Sequence, residues 1–383
     1  MIIYWSMIVW TFLIYSLYSV TNKESVALTD YNIQQGIQKK LPLIYAILVF
    51  GYFIFWASMR HYVADTTQYV RTFNNTTTDF AYGFSKLDWN PWSSDGKGVL
   101  FSFYTLIFKC FISDNYTLWL TSIAVFSGVC VMITLRKYCA NTDFFLASFL
   151  FLAFLCYSGY MLNGMRQFIC VAVSFVCCDL IKDGKTAKFM IMVFVLVFIH
   201  STAVFLISIY FIARFKPWSK WMWTVICGLI LVTVFSEPFF GAVDDFAQGT
   251  SYKNDISNYF EADDGVNPLR VLFYAMPPVL AFVKRKNIEA YYENYPIIPI
   301  CVNMSVFTAA IYLVGMVTSG ILIGRLPIYS ELYDYILIPF LLRVCFEREE
   351  RKFVYMIYVA VLLVYYYLTG PTYYHSDYFG SFY

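Results

Sequence analysis

The chain has 383 residues, of which 60% are hydrophobic and only 14% charged, against about 25% charged in an ordinary soluble domain. Mean hydropathy is +0.60, and the formal net charge of +2 says little until its distribution is followed. The composition excludes a soluble globular enzyme and predicts an all-α polytopic membrane protein: a single transmembrane domain over residues 1–383 with no nucleic-acid partner.

Apolar runs close to the ~20 residues needed to cross a bilayer recur throughout. They predict spans at 2–19, 41–58, 116–135, 143–160, 165–181, 221–236, 268–283, 296–316, 326–342 and 353–369. With the shorter apolar segments they give about 12 membrane segments. The first run lacks a basic leader and a small-residue cleavage site, so it reads as a span and not as a cleaved signal. Residues 59–97 are polar and turn-rich (NNTTTDF, NPWSSDG) and lead into 98–112, which is too short to cross. The region 59–115 is therefore expected to be an extracytoplasmic loop with an interfacial or re-entrant segment, its Lys109 snorkelling towards water. A second extracytoplasmic loop, 237–267, carries Asp244, Asp245, Asp255, Glu261, Asp263 and Asp264.

Lysine and arginine favour the cytoplasmic side. Putting 21–40 inside also puts 136–142, 182–188, 214–220, 284–287 and 343–352 inside, and these loops hold most of the chain's 27 Lys and Arg residues. Both ends of the block 189–213 are then cytoplasmic, so the block must enter and return as a short hairpin with His200 at its tip. Each arm of about 12 residues reaches roughly 18 Å, short of a hydrocarbon core of about 30 Å. The alternative is one tilted helix with a buried histidine, which would flip every later loop. Ten cysteines, none in a CxxC pair, read as small buried hydrophobes, and neither a metal nor a cofactor is expected.

Four polar stretches interrupt this pattern at the outer ends of spans: MRHYVADTTQYVRTF (59–73), NGMRQ (163–167), FIHSTAVF (198–205) and GRLPIYSELYDY (324–335). They contribute Arg60, Arg166, Arg325, Asp65, Glu331, Asp334 and His200. Such groups are costly near hydrocarbon and mark a functional site by default. Singly, each has a plainer reading: an arginine can anchor a span at the interface, a histidine can be a hydrogen-bonded packing residue, and Asp334 can pair with an arginine. Together, at one depth, they suit transfer from a diphosphate. Guanidinium groups bind phosphate in a bidentate manner and keep their charge in a low dielectric. Fixed cations stabilise a departing diphosphate, and a histidine or carboxylate can take the acceptor proton. The C-terminal TGPTYYHSDYFGSFY is expected at the outer interface, with no evident partner for His375.

The same stretches carry a resemblance. An arginine followed by Asp-Thr and a tyrosine (Arg60, Asp65, Thr66, Tyr69), Asn-x-x-Arg-Gln (Asn163, Arg166, Gln167), His-Ser-x-Ala (His200, Ser201, Ala203) and Gly-Arg-x-x-x-Tyr (Gly324, Arg325, Tyr329) resemble, in this order, the EpsG-like family of Wzy-type bacterial polysaccharide polymerases. Where that family often has glycine before Asp-Thr, this chain has Ala64. The resemblance implies a metal-independent, GT-C-like membrane glycosyltransferase in the bacterial cytoplasmic membrane, with its substrate cavity open to the extracytoplasmic side. It would join oligosaccharide repeat units carried on undecaprenyl diphosphate, for capsule, exopolysaccharide or O-antigen, alongside a repeat-unit flippase and a chain-length regulator. Arg60, Arg166 and Arg325 would then bind diphosphate, with His200 or Asp65 as base. Tyr69, Asn163, Gln167, Tyr329, Glu331 and Asp334 would bind substrate or support those groups. A glycan ligase with the same donor, a lipid-linked oligosaccharide transporter and a His200-dependent acyltransferase are the competing functions.

Overall fold

A computed structural model describes residues 2–22, 26–37, 41–93, 96–140, 143–246, 265–320 and 323–383. The chain is mostly helical, as a polytopic membrane protein requires, because in hydrocarbon every backbone N–H and C=O must be satisfied within the segment. Among the described residues, four helices are long and apolar enough to cross a membrane: α1 (Ile2–Thr21), α7 (Tyr116–Tyr138), α17 (Ile298–Met316) and α20 (Arg348–Thr369). The others are shorter: α2 (Val26–Gln34), α3 (Leu43–Ser58), α4 (Thr66–Asn75), α5 (Phe80–Ser85), α6 (Val99–Ile107), α8 (Phe144–Ala153), α9 (Met165–Val176), α10 (Cys178–Lys182), α11 (Thr186–Val197), α12 (Leu206–Ala213), α13 (Lys220–Val234), α14 (Ser236–Phe246), α15 (Pro268–Val283), α16 (Arg285–Glu289), α18 (Ile328–Glu331) and α19 (Asp334–Val344).

Eight shorter apolar helices accompany these four among the described residues. Several apolar runs are interrupted helices. The 143–160 run stops at Leu155, whose φ of 63° lies in the left-handed region that a leucine seldom adopts, and resumes as a π-turn at Tyr157–Met161. The 165–181 run breaks after Val176 and the 326–342 run after Glu331. A further departure from all-α is a small antiparallel hairpin, β1 (Tyr374–Ser376) with β2 (Gly380–Phe382). Of the second expected loop, 237–246 continues as helix α14, and Asp255, Glu261, Asp263 and Asp264 lie outside the described residues.

The 189–213 block is a hairpin. The chain leaves α11, turns through His200 into a 3-10 turn at Ser201–Phe205, and returns as α12. Thr186 at the start of α11 and Tyr210 near the end of α12 share a hydroxyl hydrogen bond of 2.5 Å, so the single tilted helix does not form. The basic connections gather at one end of the molecule. Arg136 Nε donates to Leu41 O at 2.9 Å, Lys137 and Lys182 pair with Asp179, and Arg343 and Arg351 share Asp30. At the other end His61 meets Asp377 at 2.8 Å.

The bundle is held by aromatic packing. α3 lies along α7, α15 along α17, and α7 along α9. Phe50, Phe53, Phe151 and Tyr157 pack in the shared interior, Phe53 stacked on Phe151 and Tyr157 edge-on to it, contacts that add about 0.5–1.5 kcal/mol beyond burial of the rings.

Candidate active site

Four segments meet around His200. Asn163 Oδ1 accepts from the Asp65 amide at 3.0 Å, which ties the start of α4 to the turn before α9. Gln167 Nε2 donates to Arg325 O at 3.1 Å, tying α9 to the Gly324–Arg325 turn. His200 Nδ1 lies 2.7 Å from Thr202 Oγ1, which is 3.0 Å from the Tyr329 hydroxyl. The charges of Arg166, Arg325 and Lys97 all act on the His200 ring. His200 Nε2 has no hydrogen-bond partner among the described residues, and it is not one of the fully enclosed unpartnered atoms.

Arg166 is the second residue of α9, just past a turn at 162–164. Its Nη1 donates to Lys97 O at 3.0 Å and its guanidinium lies 5.8 Å from the Tyr69 ring centre. Its Nε is buried with no partner among the described residues. Arg325 is exposed at the same locus. Its turn needs glycine at 324, where a β-carbon would stand 2.6 Å from the Val266 side chain. Asp65 is exposed, and no described side chain bonds its carboxylate.

Three expected residues are placed differently. Arg60 is 1% exposed. Its Nε donates to Thr66 Oγ1 at 2.9 Å, its Nη2 to Met165 Sδ at 2.6 Å and Met161 O at 3.5 Å, and its Nη1 to Ala57 O. With four of its five N–H donors met by the protein it holds α4 onto the 161–165 turn. Glu331 is enclosed by tyrosines, accepting from Tyr312 at 2.6 Å, Tyr274 at 3.0 Å and Tyr335 at 3.3 Å. Asp334 is fully buried beside Ser305, with neither carboxylate oxygen hydrogen-bonded and no arginine partner among the described residues. Lys109 does not snorkel either. It is buried and donates to the Phe73 and Asn74 carbonyls at 2.9 and 2.7 Å, closing the C-terminus of α4. His375 has partners: Ser381 Oγ at 2.8 Å and Asp377 at 3.5 Å.

One residue escaped the sequence reading. Arg270, in the first turn of α15, has its guanidinium 5.9 Å from the Tyr312 ring, and its side chain makes no hydrogen bond or ion pair among the described residues. Both Arg270 and Arg325 act electrostatically on Tyr160, whose hydroxyl donates to Gly324 O at 3.5 Å. Glu331 supports this cation at one remove, through the Tyr312 hydroxyl. The available signal was an arginine opening an apolar run, as at Arg166.

Beside the cluster, α4, α5 and α6 enclose a cavity of about 270 Å³ lined by Tyr69, Thr72, Asn75, Tyr82 and Lys86 among others. Aromatic faces with hydroxyl and amide groups are a fitting lining for sugars. The arrangement as a whole offers fixed cations, an imidazole oriented by a hydroxyl pair and an adjacent mixed polar cavity. No curated protein and no solved structure matches the chain significantly. The model of the EpsG family matches residues 43–380, and on this agreement of motifs, geometry and family match the chain belongs to the EpsG family, with the polysaccharide polymerase-like function that membership implies.

Proposed function

We propose that this chain is a Wzy-type glycosyltransferase that joins oligosaccharide repeat units carried on undecaprenyl diphosphate at the outer face of the bacterial cytoplasmic membrane. The observation that carries the reading is the convergence of Arg166 and Arg325 on His200 from separate segments. Arg166, Arg325 and Arg270 hold the donor diphosphate and stabilise it as it leaves. The acceptor hydroxyl attacks the anomeric carbon, the bond from that carbon to the diphosphate oxygen breaks, and the proton passes to His200 Nε2. Thr202 and Tyr329 hold His200 Nδ1 and so present Nε2 to the acceptor. Asp65, exposed and close to the cluster through Asn163, binds the acceptor sugar, and the cavity under Tyr69 and Tyr82 selects it. In this reading the guanidinium groups supply the positive charge at the diphosphate.

The test is turnover of purified lipid-linked repeat unit. A ladder of polymer from that substrate alone is expected, and His200→Ala should slow it by about 10²–10⁴-fold. Transfer only to an added second acceptor would make the chain a ligase, and flux of the lipid without bond formation would make it a transporter.

A further inference from the structure

A second cavity, of about 420 Å³, lies on the opposite flank of α6, between α6 and α7. Its size falls within the roughly 300–1,000 Å³ typical of ligand sites, but its lining is apolar: Leu100, Phe103, Ile107, Ile123, Phe126 and Ile169. The only hydrogen bond described across it joins Tyr104 to Ser122 at 2.5 Å. Phe126 is 50% exposed, so the cavity opens sideways on the apolar surface of α7, where the chains of a bilayer would lie.

The cavity adjoins the cation cluster. Ile169 follows Arg166 by one turn of α9, and Ile199, also in the lining, precedes His200. The α6 helix begins at Gly98, whose α-carbon closely approaches the Arg166 guanidinium, and the Leu100 amide donates to Phe198 O at 2.9 Å. An apolar groove open to lipid at one side, with Arg166 one turn beyond its inner end, fits an amphiphile with a long hydrocarbon chain and a charged head. Resting on the function proposed above, we infer that the groove between α6 and α7 seats the first isoprene units of the polyprenyl diphosphate donor. The tail thereby fixes which way the diphosphate faces Arg166, and α6 separates the tail from the sugar cavity on its other flank.

The test uses the full-length protein in phosphatidylglycerol nanodiscs and a polyprenyl diphosphate carrying a diazirine near its head group. Adducts are expected on Val99–Ile112 and Tyr116–Tyr138. Undecaprenyl diphosphate should compete, and Arg166→Ala should reduce labelling by about tenfold, or roughly 1.4 kcal/mol. Ile123→Trp, which fills the groove, should raise KM about tenfold for a polyprenyl donor and leave unchanged a donor whose diphosphate carries only a methyl group. Adducts outside these helices, or equal KM effects on both donors, would overturn the inference. So would labelling that falls equally when bulk phosphatidylglycerol is raised, since that describes an ordinary lipid site. Polymer formation read in parallel separates the two ideas. Polymer with adducts elsewhere removes the groove alone, whereas adducts in the groove without polymer from any lipid-linked repeat unit remove the polymerase reading.

Discussion

Gly98 is in contact with Arg166: a β-carbon at position 98 would stand 2.7 Å from the guanidinium Nη1 and 3.0 Å from Ile199 O. The residue also has φ +78°, which glycine adopts without cost. The start of α6 is thereby pressed onto both the cation and the hairpin tip that carries His200. Gly98→Ala must displace the guanidinium or strain the turn. A misplacement of about 1 Å at a catalytic constellation can cost about 10²-fold, so kcat in the polymerisation assay should fall by about that factor. The protein should still unfold cooperatively on heating. Unchanged turnover in Gly98→Ala would show that the position of Arg166 is not set from this side.

Arg60 and Arg270 should separate cleanly, although both are arginines at the ends of apolar runs. Arg60→Met strips partners from Thr66 and the carbonyls of Ala57 and Met161, at about 1–3 kcal/mol for each buried group left unmet. It should lower the thermal midpoint in detergent while the folded fraction keeps most of its kcat. Arg270→Ala removes a cation whose side chain has no hydrogen bond or ion pair among the described residues, and should lower kcat by about 10²-fold with little change in midpoint. Arg270→Lys should recover only part, because an ammonium cannot make the bidentate contact. The reverse pattern would return Arg60 to the site.

What the sequence disclosed follows from how local each signal is. The membrane class, the basic end and the turn before Arg166 are written in runs of neighbouring residues. The 189–213 hairpin followed from charge at its two ends alone. The four motifs were visible because polar residues are rare in such surroundings. The fate of each polar residue was not visible, because it depends on distant backbone. Arg60 is satisfied by Met161 and Met165, about a hundred positions on, and Glu331 by tyrosines on α15, α17 and α19. Arg270 sits in NPLRVLF, which reads as an interfacial anchor until Tyr160 and Tyr312 are brought beside it. The breaks within the apolar runs were hidden for a different reason: a left-handed Leu155 and π-turns leave no mark on hydropathy.

Ala64, which stands where the family often has glycine, has φ 46°. An L-residue in that region costs about 1–2 kcal/mol, whereas glycine gives up about 0.5–1 kcal/mol of chain entropy elsewhere in the fold. Ala64→Gly should therefore be neutral or raise stability by under about 1 kcal/mol. Ala64→Val, β-branched in a left-handed turn, should destabilise the fold and disturb Asp65 beside it. Thermal unfolding of both variants decides the matter, and a glycine variant less stable than the parent by more than about 1 kcal/mol would mean the turn differs from the one described.

The C-terminal hairpin is fastened by charge at the end of the molecule away from the basic loops. Asp377 accepts from the Tyr116 hydroxyl and meets His61 and His375. Partial burial opposes its ionisation, but the hydrogen bonds from Tyr116 and His61 and the charges of both histidines prevail, holding its carboxyl below the usual value. A depressed folded-state pKa gives a contribution that is complete above the unfolded value, near 3.9, and is lost as pH falls through the folded one. Protection of the 370–383 amides from hydrogen exchange should therefore be present at about pH 5 and weaken below about pH 4. The step should be small, because the carboxylate is 40% exposed and solvent screens such pairs. Asp377→Asn should remove the step and loosen the hairpin at every pH. If the asparagine variant keeps the same acid transition, another carboxylate fastens the tail.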